Sequence, residues 1–451
     1  MNDRLTQYFR CPERYIQLAV KGPLSAERGY FRWGSDVVCY GRSCGARTHE
    51  SVAKLLQDSQ PDTVEDENTP YLPFNLDEVA DNLLYEIYSQ DCSNGYNLQS
   101  GTLAAMYYAV RPILPVPIRK HLQRWRLRDW ERLPFPRWPV DRTVDYMMEK
   151  ALLLTMKAQG VDRLPFIWFW PEGASSCAIM THDVETEFGR ALCPALMDLN
   201  DRFGVKASFQ IIPEQRYEVT PEFLGSIRKR GFEVVIHDLN HDGRLFSDHG
   251  QFLERASKIN AYGKKFDAQG FRAAILYRKQ LWLDALDFAY DMSVPNVAHL
   301  DPQRGGCCTV MPYFVGKMLE LPVTTIQDYS LFNILKDYSI NLWKRQIELI
   351  MRSHGLISFI IHPDYVAQAR EQSVFEALLG YLAQLRDEKA VWIATPGEVN
   401  VWWRQRAEMR LEQNGDGWRI EGPGSQRARI AYASQKDGGL VYSFEPSLTA
   451  H

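Results

Sequence analysis

The sequence predicts an α/β protein whose centre is a set of β/α units around a parallel sheet or barrel. Three observations predict it. From about Ser175 to Trp403, short apolar runs alternate with stretches of helical period. Three of those runs end in residues that carry chemistry: Thr181-His182-Asp183-Val184-Glu185, His237 and His362. The texture differs on either side, which suggests three consecutive parts: an α+β extension over 1–165, the β/α part over 166–410 and a small β appendage over 411–451.

In the first part, Tyr30 to Tyr40 reads as strand material and Pro61 to Pro70 as an acidic loop between prolines. Asp77 to Tyr88 carries Val79, Leu83, Leu84 and Ile87 at helical spacing. Arg111 to Pro117 is rich in proline and should end any helix before it. Ile118 to Trp138 is dense in arginine and tryptophan. Its expected role is a helix that packs its tryptophans on the next domain. Peripheral contact with an anionic membrane surface is the alternative.

In the second part, Ser176 to Met180, Lys206 to Ile212, Phe232 to Ile236, Gln269 to Leu276, Leu321 to Thr325, Leu356 to Ile361 and Ala390 to Ala394 read as strands. The fourth of them ends at Tyr277 and Arg278. Helices are expected over Ala191 to Phe203, stopped by Gly204, and from Pro221, with Thr220 as N-cap, to Gly231. Further helices are expected over Phe252 to Tyr262, Gln280 to Tyr290, most of Leu331 to Ser353, Ser373 to Arg386 and Trp403 to Arg410. After the turn signal at Asn414 to Gly417, short alternating strands follow, with Trp418 and Tyr442 expected to pack rather than to grip a ligand.

Composition narrows the functional classes. The chain has 451 residues, 45% hydrophobic, enough for two or three domains with a sizeable core. A net charge of −4 offers no electrostatic argument for a nucleic-acid partner. No apolar run approaches the ~20 residues needed to span a bilayer. The start, MNDRLTQYFRCPERY, lacks the apolar core of a secretory signal. Eight cysteines without a CxxC pair fit reduced thiols, so a cytoplasmic protein is expected.

The chemistry concentrates at strand ends. His237 and His241 are four residues apart, and would share a face if the chain turned helically after the strand. Imidazoles so placed suit zinc first, with cobalt, nickel or iron as alternatives. On the first strand, Asp183 and Glu185 point one way and His182 the other. Two carboxylates at one strand end repel unless a cation or proton intervenes. One oxygen donor from this pair, with both histidines, makes three ligands around one divalent ion and leaves room for a water, as in catalytic sites. The free carboxylate is then a candidate base. Arg272, at the end of the next strand, is placed to hold that carboxylate ionised. His362, before Pro363, is a candidate general acid. Strand C-termini of a barrel meet at one face, so these groups are expected to converge there. His249, His299 and His354 fall in loops and receive no role.

These motifs, in this order, resemble the polysaccharide deacetylases, the carbohydrate esterases that share the NodB homology domain. The resemblance spans roughly Ser175 to Trp403. Thr181 to Glu185 is similar to the first motif, His237 and His241 to the second, and Arg272-Ala273-Ala274 to the third. Asp291-Met292-Ser293-Val294-Pro295 resembles the fourth, and Ser358 to Pro363 the fifth. Asp-Val-Glu stands where many members have adjacent aspartates, and Ala274 where the third motif has proline. The resemblance implies an irregular (β/α)7 barrel and hydrolytic removal of an acetyl group from an N-acetylated, or O-acetylated, sugar. It further implies Asp183 as base, Glu185 with His237 and His241 as metal ligands, Arg272 as partner of the base and His362 as acid. Asp291 and Tyr277 are the expected substrate-binding residues. Val294 to Asp328 suggests the branch that assembles bacterial surface polysaccharide, with a free, nucleotide-linked or lipid-linked sugar as substrate. The alternatives are an amidohydrolase acting on a small amide or ureide, and a catalytically silent barrel that binds glycan.

Overall fold

Ser176–Val184 is buried along its whole length, with an apolar run at Cys177–Met180 suited to a strand covered on both faces and a polar end at Thr181 to Asp183. This strand, β1, anchors a nine-stranded sheet in a computed structural model that describes residues 3–66, 69–91, 127–388, 391–415 and 417–444. The chain forms two units. Among the described residues, one comprises those in 127–141 and 175–400, and the other those in 3–91, 142–174 and 401–444.

In the unit that holds the sheet, the strands after β1 are β2 (Ala207–Ile211), β3 (Glu233–His237), β4 (Gly270–Arg272) and β5 (Tyr290–Asp291). Then come β6 (Tyr313–Val315), β7 (Met318–Glu320), β8 (Leu356–Ile361) and β9 (Val391–Ala394). Their order is β6-β7-β5-β4-β3-β2-β1-β8, with β9 also on β1, and among these pairings only β6 with β7 is antiparallel. The fold is α/β with a curled, mostly parallel sheet. Register then positions chemistry. Ile361 pairs with His182, so His362 comes level with Asp183. Val184 pairs with Ile211, and Ile211 with Ile236, so His237 comes level with Glu185.

Helices α1 (Glu187–Phe203), α2 (Pro221–Lys229), α3 (His249–Lys265), α4 (Asn341–Met351) and α5 (Ala369–Asp387) belong to this unit. Thr186 caps α1 by accepting from Gly189 N, and Gly204 ends it in the left-handed region at φ 64°. Thr220 accepts from Phe223 N, with Pro221 in the first turn, as the sequence predicts. Leu196, Leu199, Ile227, Phe252 and Ile259 bury the inner faces of these helices in one core with β1 to β4.

Four elements differ from expectation, and local hydrogen bonding accounts for three of them. Leu321 to Thr325 is not a strand, since Pro322 has no N–H to give a ladder. It still stitches the sheet, because Val323 N donates to Val294 O (2.9 Å) and Thr325 N to Ser358 O (3.3 Å). The strand expected over Gln269 to Leu276 stops at Arg272, where Ser293 Oγ takes the Ala273 amide at 2.8 Å. Gln280 to Tyr290 is not a helix. Its short 3₁₀ turn ends at Ala285, where Asn260 of α3 binds both Ala285 O (3.0 Å) and Asp287 N (2.8 Å), and Tyr290 enters the sheet. The helical stretch from Leu331 is broken at Lys336, with φ 60°, before α4 begins.

The other unit pairs Ile430–Lys436 with Gly439–Phe444 on one edge and with Arg163–Ile167 on the other, so the last strands complete a sheet rather than stand apart. Tyr442 packs its ring on Phe166 at 5.3 Å. Buried Arg406 donates to the carbonyls of Trp168 (3.0 Å), Ile167 (2.8 Å) and Tyr8 (2.9 Å). Of the segments read from the sequence, Arg111 to Pro117 and Ile118 to Arg126 lie outside the described residues. Within the remainder, Trp130 meets Trp138 edge-on at 4.8 Å and Trp138 stacks on His299. Among the described residues, no helix is long and apolar enough to cross a membrane.

Candidate metal and catalytic site

The ends of β1, β3, β4 and β8 bring Asp183, Glu185, His237, His241, Arg272 and His362 together. His241 reaches the cluster differently from the helical turn expected. Asp238 (φ 56°) and His241 (φ 55°) both adopt left-handed backbone, a region that Asp and His enter more readily than most residues. The tight turn folds His241 back until its ring centroid lies 4.9 Å from that of His237. Arg216 holds this loop through Asn240 O (3.1 Å) and His241 O (2.6 Å). Asp242, clamped by Arg255 at 2.8 and 2.7 Å, fixes its far side.

The donor atoms fit a divalent cation. One atom each from Glu185, His237 and His241 lies within 4.8 Å of the others. Nδ1 of His237 faces Arg272 O at 3.2 Å, and a carbonyl only accepts. Nδ1 therefore carries the proton and Nε2 presents its lone pair to the cluster, the tautomer metal-bound histidines adopt. Among the described residues, Nε2 of His237 has no hydrogen-bond partner. Nε2 of His241 lies 2.8 Å from Glu185 Oε1 without hydrogen-bond alignment. Both rings are buried, and a bare buried nitrogen costs about 1–3 kcal/mol unless something satisfies it. Glu185 Oε1 is also 3.9 Å from His237 Nε2 and 3.4 Å from His362 Nε2.

Asp183 stands beside this triad, with Oδ2 3.7 Å from His237 Nε2. Arg272 is wholly buried and donates from NH1 to Asp183 Oδ1 (2.6 Å) and Thr181 Oγ1 (2.7 Å), and from Nε to Met292 O (3.0 Å). Burial pushes the Asp183 carboxyl up, but Arg272, His237 and His362 outweigh it and hold it below its ordinary value. Burial likewise opposes ionisation of Glu185, and the surrounding histidines, His241 foremost, hold it well below the carboxylate range.

His362 is fixed by a residue that sequence reasoning assigned no role. Asp328 accepts from His362 N (2.7 Å, Oδ2) and from its Nδ1 (2.7 Å, Oδ1), leaving Nε2 toward the cluster. Burial depresses the imidazole, yet Asp328 and Glu185 raise it well above its ordinary value. Asp328 lies in the irregular stretch after Pro322, where no periodicity marks it. A second missed contact ties two functional loops together: Thr186 Oγ1 donates to Asp364 Oδ2 at 2.6 Å. A Cβ at position 189 would meet Asp364 Oδ1, so any larger residue there would push on this latch.

The structure does not bring Asp291 to the cluster. It is wholly buried behind the end of β4, where Ser293 Oγ donates to its Oδ1 at 2.6 Å and Glu320 lies against it. Burial raises both carboxyls of this pair, and the neighbouring Asp291 raises Glu320 further. Through Ser293, which also takes the Ala273 amide, Asp291 supports the end of β4. Tyr277 is buried beside Gly243, two residues beyond His241. His182 faces away from the cluster, with Nε2 3.0 Å from Asn200 Nδ2 and its ring against Phe209.

No family model matches the chain, and no curated protein matches it. The solved structures to which it is similar include polysaccharide deacetylases and an allantoinase. A protein of Mycobacterium smegmatis named as a polysaccharide deacetylase is 17% identical with a TM-score of 0.45, over 56% of this chain and 98% of that one. Puue allantoinase is 12% identical with a TM-score of 0.41, over 52% of this chain and 92% of that one. A protein of Pseudomonas aeruginosa PAO1 named as a polysaccharide deacetylase is 13% identical with a TM-score of 0.40, over 52% of this chain and 93% of that one.

Proposed function

We propose that this protein is a metal-dependent hydrolase that removes the acetyl group from an N-acetylated, or O-acetylated, sugar. The observation that carries the reading is the pairing of two groups around one three-donor site. A carboxylate held ionised by Arg272 stands on one side, and an imidazole held protonated by Asp328 on the other. Glu185, His237 and His241 would hold the cation, most simply zinc. When bound, it supplies Lewis acidity, which polarises a carbonyl and acidifies a water. Asp183 takes the proton of the attacking water on its carboxylate, kept basic and oriented by the NH1 of Arg272. His362 delivers a proton from Nε2 to the departing nitrogen or oxygen, while its Nδ1–H remains bonded to Asp328. The finer reading places the substrate among precursors of a bacterial surface polysaccharide, nucleotide-linked or lipid-linked. It rests on the resemblance of Val294 to Asp328.

The direct experiment is acetate release from free, nucleotide-linked and lipid-linked N-acetyl sugars, with O-acetyl sugars and allantoin alongside. Release from a sugar is expected. Turnover of allantoin alone would make the protein a ureide amidohydrolase, and binding without turnover would make it a silent barrel.

Asp328→Asn tests the acid. The proton on His362 is present below its raised pKa and lost as pH rises through it. Asp328 is the largest cause that raises it, so its loss lowers that pKa. The basic limb of the pH profile should move to lower pH, with activity down about 10–100-fold, the usual scale for such a supporting partner. An unmoved limb would mean that His362 is not the group titrating there.

A further inference from the structure

Two half-buried tyrosines stand beside His362. The ring of Tyr365 lies 4.8 Å from the imidazole at 51°, and the ring of Tyr329 lies 5.4 Å from that of Tyr365 at 47°. Both belong to the turns that build the acid. Tyr365 N donates to His362 O at 3.0 Å, and Tyr329 N to Asp328 Oδ1 at 2.7 Å. Asp328 and Tyr329 are consecutive, so one carboxylate fixes both the imidazole and the aromatic neighbour. Asp364, next to Tyr365, is latched to Thr186, one residue beyond Glu185. The wall formed by the two rings is therefore held at a set place relative to both the metal ligand and the acid. A tyrosine offers an apolar face and a polar edge. A pyranose offers the complement, with C–H faces and hydroxyls on its rim.

We propose that Tyr365 and Tyr329 form the sugar-binding wall of this site, with Tyr365 against the pyranose whose acetyl group is removed and Tyr329 against the neighbouring ring. The assignment rests on the deacetylase reading and adds to it the residues that select a sugar. A pyranose against Tyr365 would lie beside the His362 imidazole, 4.8 Å away between centroids, so recognition and proton delivery share one support. A ring-free amide would gain nothing from the wall.

The test is binding to the metal-loaded, full-length protein, by saturation-transfer NMR with N-acetylglucosamine, chitotetraose and UDP-N-acetylglucosamine. At least one of these should bind the wild type. Tyr365→Ala and Tyr329→Ala should each weaken it about tenfold, the scale of one lost aromatic contact, with metal content and melting temperature retained. Tyr365→Phe keeps the ring and should restore most of the binding. Where turnover is measurable, the loss should fall on KM more than on kcat. Should Tyr365→Ala fail to fold, Tyr329→Ala and Tyr365→Leu carry the same comparison. Equal binding by wild type and alanine variants overturns the wall and leaves the deacetylase reading standing. Binding through the wall without acetate release from any sugar sinks the deacetylase reading alone. Absence of binding to all three sugars overturns the proposal.

Discussion

Asp183→Asn is expected to slow turnover by about 10²-fold or more, the usual scale for a lost general base, while the protein keeps its metal. The expectation follows from the separation of roles in the site. Asp183 gives one oxygen to Arg272 at 2.6 Å, whereas the Glu185 oxygen faces three imidazoles. Asparagine can still meet Arg272 through its amide oxygen, but it cannot take a proton from water. Glu185→Gln should act in the opposite order and weaken metal affinity first. Titration with a chelator, alongside acetate release, separates the two variants. Metal lost from Asp183→Asn alone would exchange the roles. The acidic limb has a definite sign as well. The Asp183 carboxyl lies below its ordinary value, so the basic form survives mild acid and is lost only as pH falls through that lowered pKa.

The second large effect is expected at His362. An amine is a poor leaving group and needs a proton as it departs, whereas a phenolate needs one far less. His362→Ala should therefore retain metal, lose most activity on an acetamido sugar, about 10²-fold or more, and lose much less on 4-nitrophenyl acetate. The basic limb of the pH profile should disappear with the imidazole. Equal losses on both substrates would place His362 in binding or in stabilising the oxyanion, and the acid would have to be another group.

Much of this site is legible in the residues themselves. A strand buried on both faces favours continuous apolar runs, so β8 and the Cys177–Met180 run of β1 announce themselves, and their parallel pairing carries Asp183 and His362 to one level. The separation of His182 from Asp183 and Glu185 follows from strand alternation alone. The histidine pair is visible as a spacing, but the left-handed turn at Asp238 and His241 that joins it is not, because helical and left-handed turns can close the same interval. Asp328 is hidden for another reason. It enters through a non-periodic segment broken by Pro322, and its partner His362 is far along the chain. The pairing of Ile430–Lys436 with Arg163–Ile167 is equally long in range, so local pattern suggests a separate appendage where the chain completes a sheet. Asp291 carries a motif-like context, yet it is wholly buried with Ser293 donating to it, a contact that local pattern does not show.

The central claim is that Glu185, His237 and His241 hold a catalytic metal, and its most direct test is the metal content of purified protein. The wild type should contain about one divalent ion per chain, the single-metal layout of a three-ligand site, and His237→Ala and His241→Ala should each lose it while remaining folded. Full occupancy in both variants, or a wild type that takes up no divalent metal on reconstitution, would contradict it.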